Sequence, residues 1–452
     1  MIQSLVAFAL LTAAAAAEPL ALDDCIQLAL EFNNQMRLAR QSLLRSEADV
    51  KSARASRLPS VSATLINFSR SRTGPSIRIQ ENPTGELDPV TGQRIFREES
   101  TQIPPIDRHS FSLSASVNQS IYDGGNRRHA HNSARSGLEG TQSFVHAQRL
   151  ATIFAVKQRY FTLLKAQELV EVLKQSLKLS EKQLEEATAR LEVGAGVKAD
   201  VLRLRVSVGN AQINLINAEQ GIALARANLN KIMGKKISAS LQAIPVKNTA
   251  STLSKLSFEE LLQRAEESNP ELQRLRFVLH AAGHNLAAAK AAWHPRVNGR
   301  LSYSRNNEVF DRVYQDLDKN YRLNGSVTLT YNVFDGGLRS ASIDRSRVGL
   351  ENARLNLEEK KRELSLGVET AHLELVRVKK ILEISAVTME VAEEDLKLAE
   401  ESYRIGQGTL LELLDAQISL TQARSDQVRG RRDLAVAQAE VERLVGGLSD
   451  GN

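Results

Sequence analysis

The sequence predicts a mostly helical chain with a small transmembrane β part: long antiparallel coiled-coil helices plus four β-strands per chain, completed only by copies of itself. Three observations predict this. Aromatic residues make up 4% of the 452 residues while Ala, Leu, Glu, Gln, Lys and Arg dominate long stretches, the profile of extended helices rather than globular cores. The chain is written twice, the signature of a repeated supersecondary plan. Its few strand-like segments alternate apolar residues with Ser, Thr and Asn, as a wall between lipid and water requires.

The charge pattern argues against a nucleic-acid partner, because 59 Lys and Arg stand against 53 Asp and Glu and the two signs are interspersed along the helical stretches. Residues 1–17 have the character of a secretory signal: Ile2 to Ala17 is apolar, closes on Ala15-Ala16-Ala17 and is too short to span a bilayer. No Lys or Arg precedes that run. The lone Cys25 has no partner for an internal disulfide, and Asp23 and Asp24 before it do not suit a lipid attachment site. After Ala17 no apolar run is long enough for a membrane helix, so any crossing must use strands.

Duplication sets the domain plan. Ser120-Ile121-Tyr122-Asp123-Gly124-Gly125 recurs as Asn332-Val333-Phe334-Asp335-Gly336-Gly337, and Leu191-Glu192-Val193-Gly194-Ala195-Gly196 recurs as Tyr403-Arg404-Ile405-Gly406-Gln407-Gly408. Both pairs share an offset of 212 (336 − 124 and 406 − 194). Nearer the front the offset is 236, with Asn33 against Asn269 and Pro59 against Pro295, so the first copy holds 24 extra residues between Pro59 and Asp123. The first structural repeat is expected over 18–246 and the second over 247–452.

Each repeat opens with a short amphipathic helix, Leu22 to Glu31 and Phe258 to Glu267, and continues into a second helix that stops before a proline, at Leu58 and at His294. Hairpins follow over 60–122 and 296–334. In them Phe111, Leu113, Ala115 and Val117 alternate with Ser112, Ser114 and Ser116, and Leu323, Val327 and Leu329 with Asn324, Ser326 and Thr328. The extra length of the first hairpin, Thr73 to Asp107, is rich in Pro and Gly and is expected to be a solvent-exposed loop. Beyond the breaks Asp123-Gly124-Gly125 and Asp335-Gly336-Gly337 run proline-free helices over 125–193 and 337–405, each about 100 Å long at about 1.5 Å per residue. Heptad positions Val170, Leu173, Leu177, Leu184, Ala187 and Leu191, then Leu382, Met389, Leu396 and Tyr403, form a coiled-coil seam. Glycine turns at Gly194 to Gly196 and Gly406 to Gly408 reverse the chain into return helices, 199–234 and 411–446.

Four strands cannot close a barrel, and lipid forbids an open edge. Two copies give eight strands with a filled interior, whereas three give twelve and an aqueous lumen, so a homotrimer is the smallest conducting assembly. The long helices likewise need neighbours along their whole length, having no core of their own. Two other readings share parts of this pattern: a half-buried strand in a soluble sheet alternates in the same way, and a periplasmic adaptor or coiled-coil scaffold also carries long helices. The export signal, the uncharged polar face and the doubled hairpin favour the barrel.

In the order of these motifs the chain resembles the TolC family of outer-membrane efflux proteins over essentially its whole length after residue 17. The duplicated plan carries the resemblance, with the strand-to-helix breaks at Asp123, Gly124, Gly125, Asp335, Gly336 and Gly337 and the turn motif from Tyr403 to Asp415. The resemblance implies a trimer in the outer membrane with a twelve-stranded β-barrel and a twelve-helix tunnel through the periplasm, the exit duct of an efflux pump or a type I secretion system. It implies a periplasmic adaptor docked at the turns Val193, Gly194, Gly196, Ile405, Gly406 and Gly408, an inner-membrane transporter of the RND or ABC class, and outer-membrane lipid around the barrel. Under the family's geometry Glu412 and Asp415, three apart on one helix face, become two carboxylate rings that favour cations in a narrow pore. A solvated face near a helix start gives the same spacing, since acids there favour the dipole. Asp200 is the repeat equivalent of Glu412, and Tyr403 matches a tyrosine that holds such tips shut. Gly408 stands where the family's prototype has a basic residue, a departure that implies either weaker closure or closure by other contacts.

Nothing in the motifs points to an enzyme, a cofactor or a metal. His280 and His284 stand four apart on a helix without a third ligand nearby, and there is no phosphate-binding loop, nucleophile elbow or paired-cysteine motif. The expectation is a passive conduit whose energy comes from its partners.

Overall fold

The structure is a computed structural model that describes residues 18–246 and 256–447; the expected signal, 1–17, lies outside the described residues. In chain order the elements are β1 (Glu18–Leu20), α1 (Leu22–Phe32), α2 (Asn34–Ala55), β2 (Ser60–Thr73), β3 (Ser76–Leu87), β4 (Arg94–Ile103), β5 (Ile106–Tyr122), α3 (Asn126–Glu192), α4 (Lys198–Ile232), β6 (Leu241–Ala243), α5 (Phe258–Ser268), α6 (Pro270–Lys290), β7 (Arg296–Asn307), α7 (Phe310–Tyr314), β8 (Tyr321–Thr330), α8 (Leu338–Arg404) and α9 (Leu410–Leu444). Contacts divide the chain into two units: residues 49–134 with 283–348 form a β unit, and the rest forms a helical unit. No described helix is long and apolar enough to cross a membrane.

In the helical unit α9 is the central strut. Its apolar residues Ala437, Val441 and Leu444 pack with Leu261 and Ala265 of α5, Leu272 of α6 and Leu364, Val368 and Leu375 of α8. On its other side it is tied to α3 by ion pairs: Lys157 with Glu442 at 3.2 Å, Lys165 with Asp433 at 3.0 Å, and a two-pronged pairing of Arg432 with Glu168. Those bonds join the first repeat to the second. Another core gathers Cys25, Ile26 and Ala29 of α1 around Ile153, Val156, Tyr160 and Leu163 of α3 and Leu229 of α4. The repeats use one device twice. Asn33 caps α2 through its Oδ1 while its Nδ2 donates to the Ile232 carbonyl at 2.9 Å, and Asn269 caps α6 while its Nδ2 donates to the Leu444 carbonyl at 3.1 Å. Side-chain amides suit this place because one end accepts and the other donates. A parallel pair of short strands, β1 and β6, has no counterpart in the sequence reading; the Tyr160 hydroxyl holds it, accepting from the Ile244 N–H at 3.0 Å within donating reach of the Leu20 carbonyl.

The β unit is an antiparallel sheet in the order β2-β5-β7-β8. Its register puts Val61, Ala63, Phe68, Phe111, Leu113, Ala115, Val117, Leu301, Tyr303, Leu323, Val327 and Leu329 on one face, and the Ser, Thr and Asn set on the other. One extra residue in β2 threatens that phase, because Leu65 and Ile66 are consecutive apolar residues. A bulge between Thr64 and Asn67 absorbs it, and the Tyr314 hydroxyl donates to the Leu65 carbonyl at 2.6 Å.

Two sequence expectations are corrected here. Instead of a loop, Thr73 to Asp107 contains the antiparallel ribbon β3–β4, in which Ser76 pairs with Ile103 in direct continuation of Thr73 with Ile106. Pro75, Pro104 and Pro105 lack the N–H needed for an unbroken ladder, so the prolines divide one long hairpin into two sheets rather than ending it. In the second hairpin β8 ends at Thr330, short of Val333, and the connection to it carries the five-residue α7, whose Phe310 packs edge-on to Phe111 at 5.6 Å.

Candidate functional site

Four helix ends meet where the two glycine turns lie. Ala187 of α3, Val201 and Leu204 of α4, Ala392 and Leu396 of α8, and Leu410, Leu413, Ala416, Leu420 and Ala423 of α9 form one core. Leucines and alanines share it almost evenly, the pairing of large and small side chains that lets helices interlock along a seam.

Both turns close in the same way. The Ala195 N–H donates to the Arg190 carbonyl at 2.9 Å and the Gly194 N–H to Leu191 at 3.1 Å; in the second repeat the Gln407 N–H donates to Ser402 at 2.9 Å and the Gly406 N–H to Tyr403 at 3.2 Å. Gly194 and Gly406 take the left-handed φ this closure needs, +76° and +81°. Gly408 is glycine for a different reason. A Cβ there would stand 3.0 Å from Ser402 Cβ, so a larger side chain fits only if the end of α8 gives way. Val193 and Ile405, at the turn crests, are 80% and 61% exposed.

The structure brings three site residues together. Tyr403, near the end of α8, carries the Arg190 guanidinium of α3 over its ring, 5.3 Å from the centroid. Burial pushes the Tyr403 hydroxyl above its ordinary pKa, and the nearby Asp200 charge adds to the rise while Arg190 opposes it. Asp200 occupies the third position of α4, as Glu412 does in α9. Glu412 is a capping residue as well: its Oε2 accepts from the Thr409 N–H at 2.9 Å, and the Glu412 N–H donates to Thr409 Oγ1 at 3.3 Å. In the first repeat Val197 stands at the cap and has no oxygen to offer. Glu412 and Asp415 are both exposed, one helical turn apart, with no acid or base of the chain paired to either among the ion pairs of the described residues.

Arg190 is the residue that sequence reasoning missed. Its ring partner belongs to the other repeat, so no spacing along the chain could announce the pair.

The strand-to-helix breaks lie in the β unit, and each is built around an aspartate. Asp123 accepts from the N–H groups of Gly125 and Arg127, both at 3.1 Å; Asp335 accepts from Gly337 at 3.1 Å and Arg339 at 3.2 Å. Gly124, Gly125, Gly336 and Gly337 all have positive φ. Arg339 pairs with Asp335 at 2.8 Å and lies 4.3 Å from the centre of the Trp293 ring, which fixes the second break.

Against known proteins, a family model described as outer membrane efflux protein matches residues 25–235 and 261–447. The chain is 24% identical over 438 residues to the probable efflux pump outer membrane protein TtgC of Pseudomonas putida, covering 94% of this chain and 83% of that protein. To the outer membrane protein TolC of Vibrio cholerae it is 22% identical over 368 residues, covering 81% of this chain and 82% of that one. Among solved structures, the CmeC outer membrane channel of Campylobacter jejuni superposes with a TM-score of 0.80 at 18% identity, covering 95% of this chain and 87% of that one.

Proposed function

Because the chain belongs to the outer membrane efflux protein family, we propose that three copies close one β-barrel across the outer membrane and extend as a helical duct into the periplasm. The observation that supports this most is a pair of open edges. Within one chain β2 and β8 have no outer partner, and a sheet with one apolar face cannot leave such edges in lipid. Pairing β8 of one copy with β2 of the next removes both, and three copies of four strands leave a water-filled lumen where two would not.

Strand length agrees with a membrane crossing. The 10 residues of β8 run about 34 Å along the strand and, tilted by about 40°, rise about 26 Å, close to the apolar band of about 25 Å in such barrels. Aromatic rings cluster at the hairpin end of the sheet, Phe68 with Phe111 at 5.1 Å and Tyr303 with Tyr321 at 5.6 Å, as an interfacial girdle does. Exposed apolar seams run along Leu202, Val206, Ile213 and Ile216 of α4 and along Ile384, Val387, Val391 and Leu398 of α8, and neighbouring copies would bury them.

The turn end is the gate in this reading. Val193 and Ile405 offer apolar contacts to a periplasmic adaptor, and the adaptor together with an inner-membrane transporter opens the tip by drawing Tyr403 away from Arg190 and Asp200. Glu412 and Asp415, repeated around a threefold axis, line the opening with six carboxylates and favour cations. Cargo then diffuses outward with no chemistry done by the duct. Native mass spectrometry of the detergent-purified protein tests the assembly: a mass of three chains is expected, and a monomer at every concentration contradicts it.

A further inference from the structure

A histidine pair lies in the β unit where α3 and α6 pack together. His284 stands one turn along α6 from His280, and it faces His129 of the first turns of α3: their ring centroids are 6.0 Å apart and the planes differ by 32°. The helices are pinned together at this level, since Asn126 Nδ2 donates to the Ala288 carbonyl at 3.0 Å. Beneath the His129 ring, Gly125 leaves room that a side chain would fill, a Cβ there coming within 3.6 Å of His129 Cδ2. His129 Nδ1 is buried and has no hydrogen-bond partner. A buried imidazole nitrogen without a partner is costly unless something fills it.

From this geometry we propose that His129 and His284 bind one divalent transition-metal ion between them, as a staple joining α3 to α6. An imidazole nitrogen holds such an ion at about 2.0–2.1 Å, which puts each ring centre about 3.2 Å from it and two rings at a tetrahedral angle about 5 Å apart. The observed separation exceeds that by about 1 Å, a gap that side-chain rotation closes. Borderline-soft ions such as Zn²⁺, Ni²⁺ and Cu²⁺ suit imidazole, whereas Mg²⁺ and Ca²⁺ prefer oxygen. Among the described residues no third His, Cys, Asp or Glu completes a cluster, so water fills the remaining positions and the ion is exchangeable.

Calorimetric titration of the full-length, detergent-solubilised protein with Ni²⁺ and Zn²⁺ tests this. One saturable site per chain is expected, weakened by about tenfold or more in His129→Ala and in His284→Ala and unchanged in His146→Ala, an exposed position elsewhere on α3. Electron paramagnetic resonance of the Cu²⁺-loaded wild type supplies a readout that needs no variant, with coupling to two imidazole nitrogens expected. Absence of saturable binding, binding that survives in His129→Ala, or coupling to a single imidazole would overturn the proposal.

Discussion

Arg190, from the first repeat, lies over the ring of Tyr403, from the second, 5.3 Å from its centre. The contact spans the point where α3 and the end of α8 must separate if the tip is to widen. Arg190→Gln removes the cation and is expected to raise the open probability of reconstituted channels several-fold, while Arg190→Lys, which keeps the charge but not the guanidinium, gives an intermediate effect. Single-channel recording checks the order wild type, Lys, Gln; identical traces for all three contradict a latch at this position.

Glu412 has two jobs in this account, and they separate experimentally. Gln preserves a capping box, so Glu412→Gln combined with Asp415→Asn should leave the melting temperature nearly unchanged while cation selectivity falls. Thr409→Ala does the reverse: it costs about 1 kcal/mol of stability and leaves selectivity intact. Reversal potentials in a salt gradient, measured beside thermal melts, decide. Unchanged selectivity in the double variant removes the carboxylates from the pore.

The two strand-to-helix breaks look alike in sequence but differ in surroundings. A Cβ at Gly124 would lie 2.7 Å from the Ala291 carbonyl oxygen, whereas one at Gly336 meets nothing within 4 Å. Gly336→Ala therefore pays only the left-handed strain of about 1–2 kcal/mol, and Gly124→Ala costs distinctly more. Thermal melts of the two variants compare them directly; equal losses contradict the close approach at the first break.

Tyr160 makes the β1–β6 seam sensitive to alkali. Burial pushes its hydroxyl up to about 12 from an ordinary 10.0, with the Ile244 hydrogen bond opposing. A group whose folded pKa is raised contributes stability that is complete below the unfolded value and is lost as pH climbs through the folded one. Stability should therefore fall between pH 10.0 and about 12 in the wild type and less so in Tyr160→Phe. Chemical denaturation across that range checks it, and parallel curves for the two proteins contradict the assignment.

The fold class was legible because it rests on local patterns. Period-two alternation from Phe111 to Val117 and heptads from Val170 to Leu191 are written within single elements, and the duplication made each readable twice. What escaped the sequence was long-range. The ribbon β3–β4 hid behind its prolines, which mark a loop in isolation but here only interrupt the ladder between Thr73 and Ser76. The β1–β6 pair joins segments more than two hundred residues apart, and three-residue strands carry no period. At the proposed gate a family resemblance points to Tyr403, Asp200, Glu412 and Asp415, while Arg190, whose partner lies across the repeat boundary, carries no signal along the chain.

Conductance tests the central claim most directly. The account predicts that the purified protein, added to a planar lipid bilayer, inserts as discrete units that pass ions in small, cation-selective steps from a nearly closed tip. A protein that partitions into no bilayer and carries no current at any concentration or voltage would contradict it.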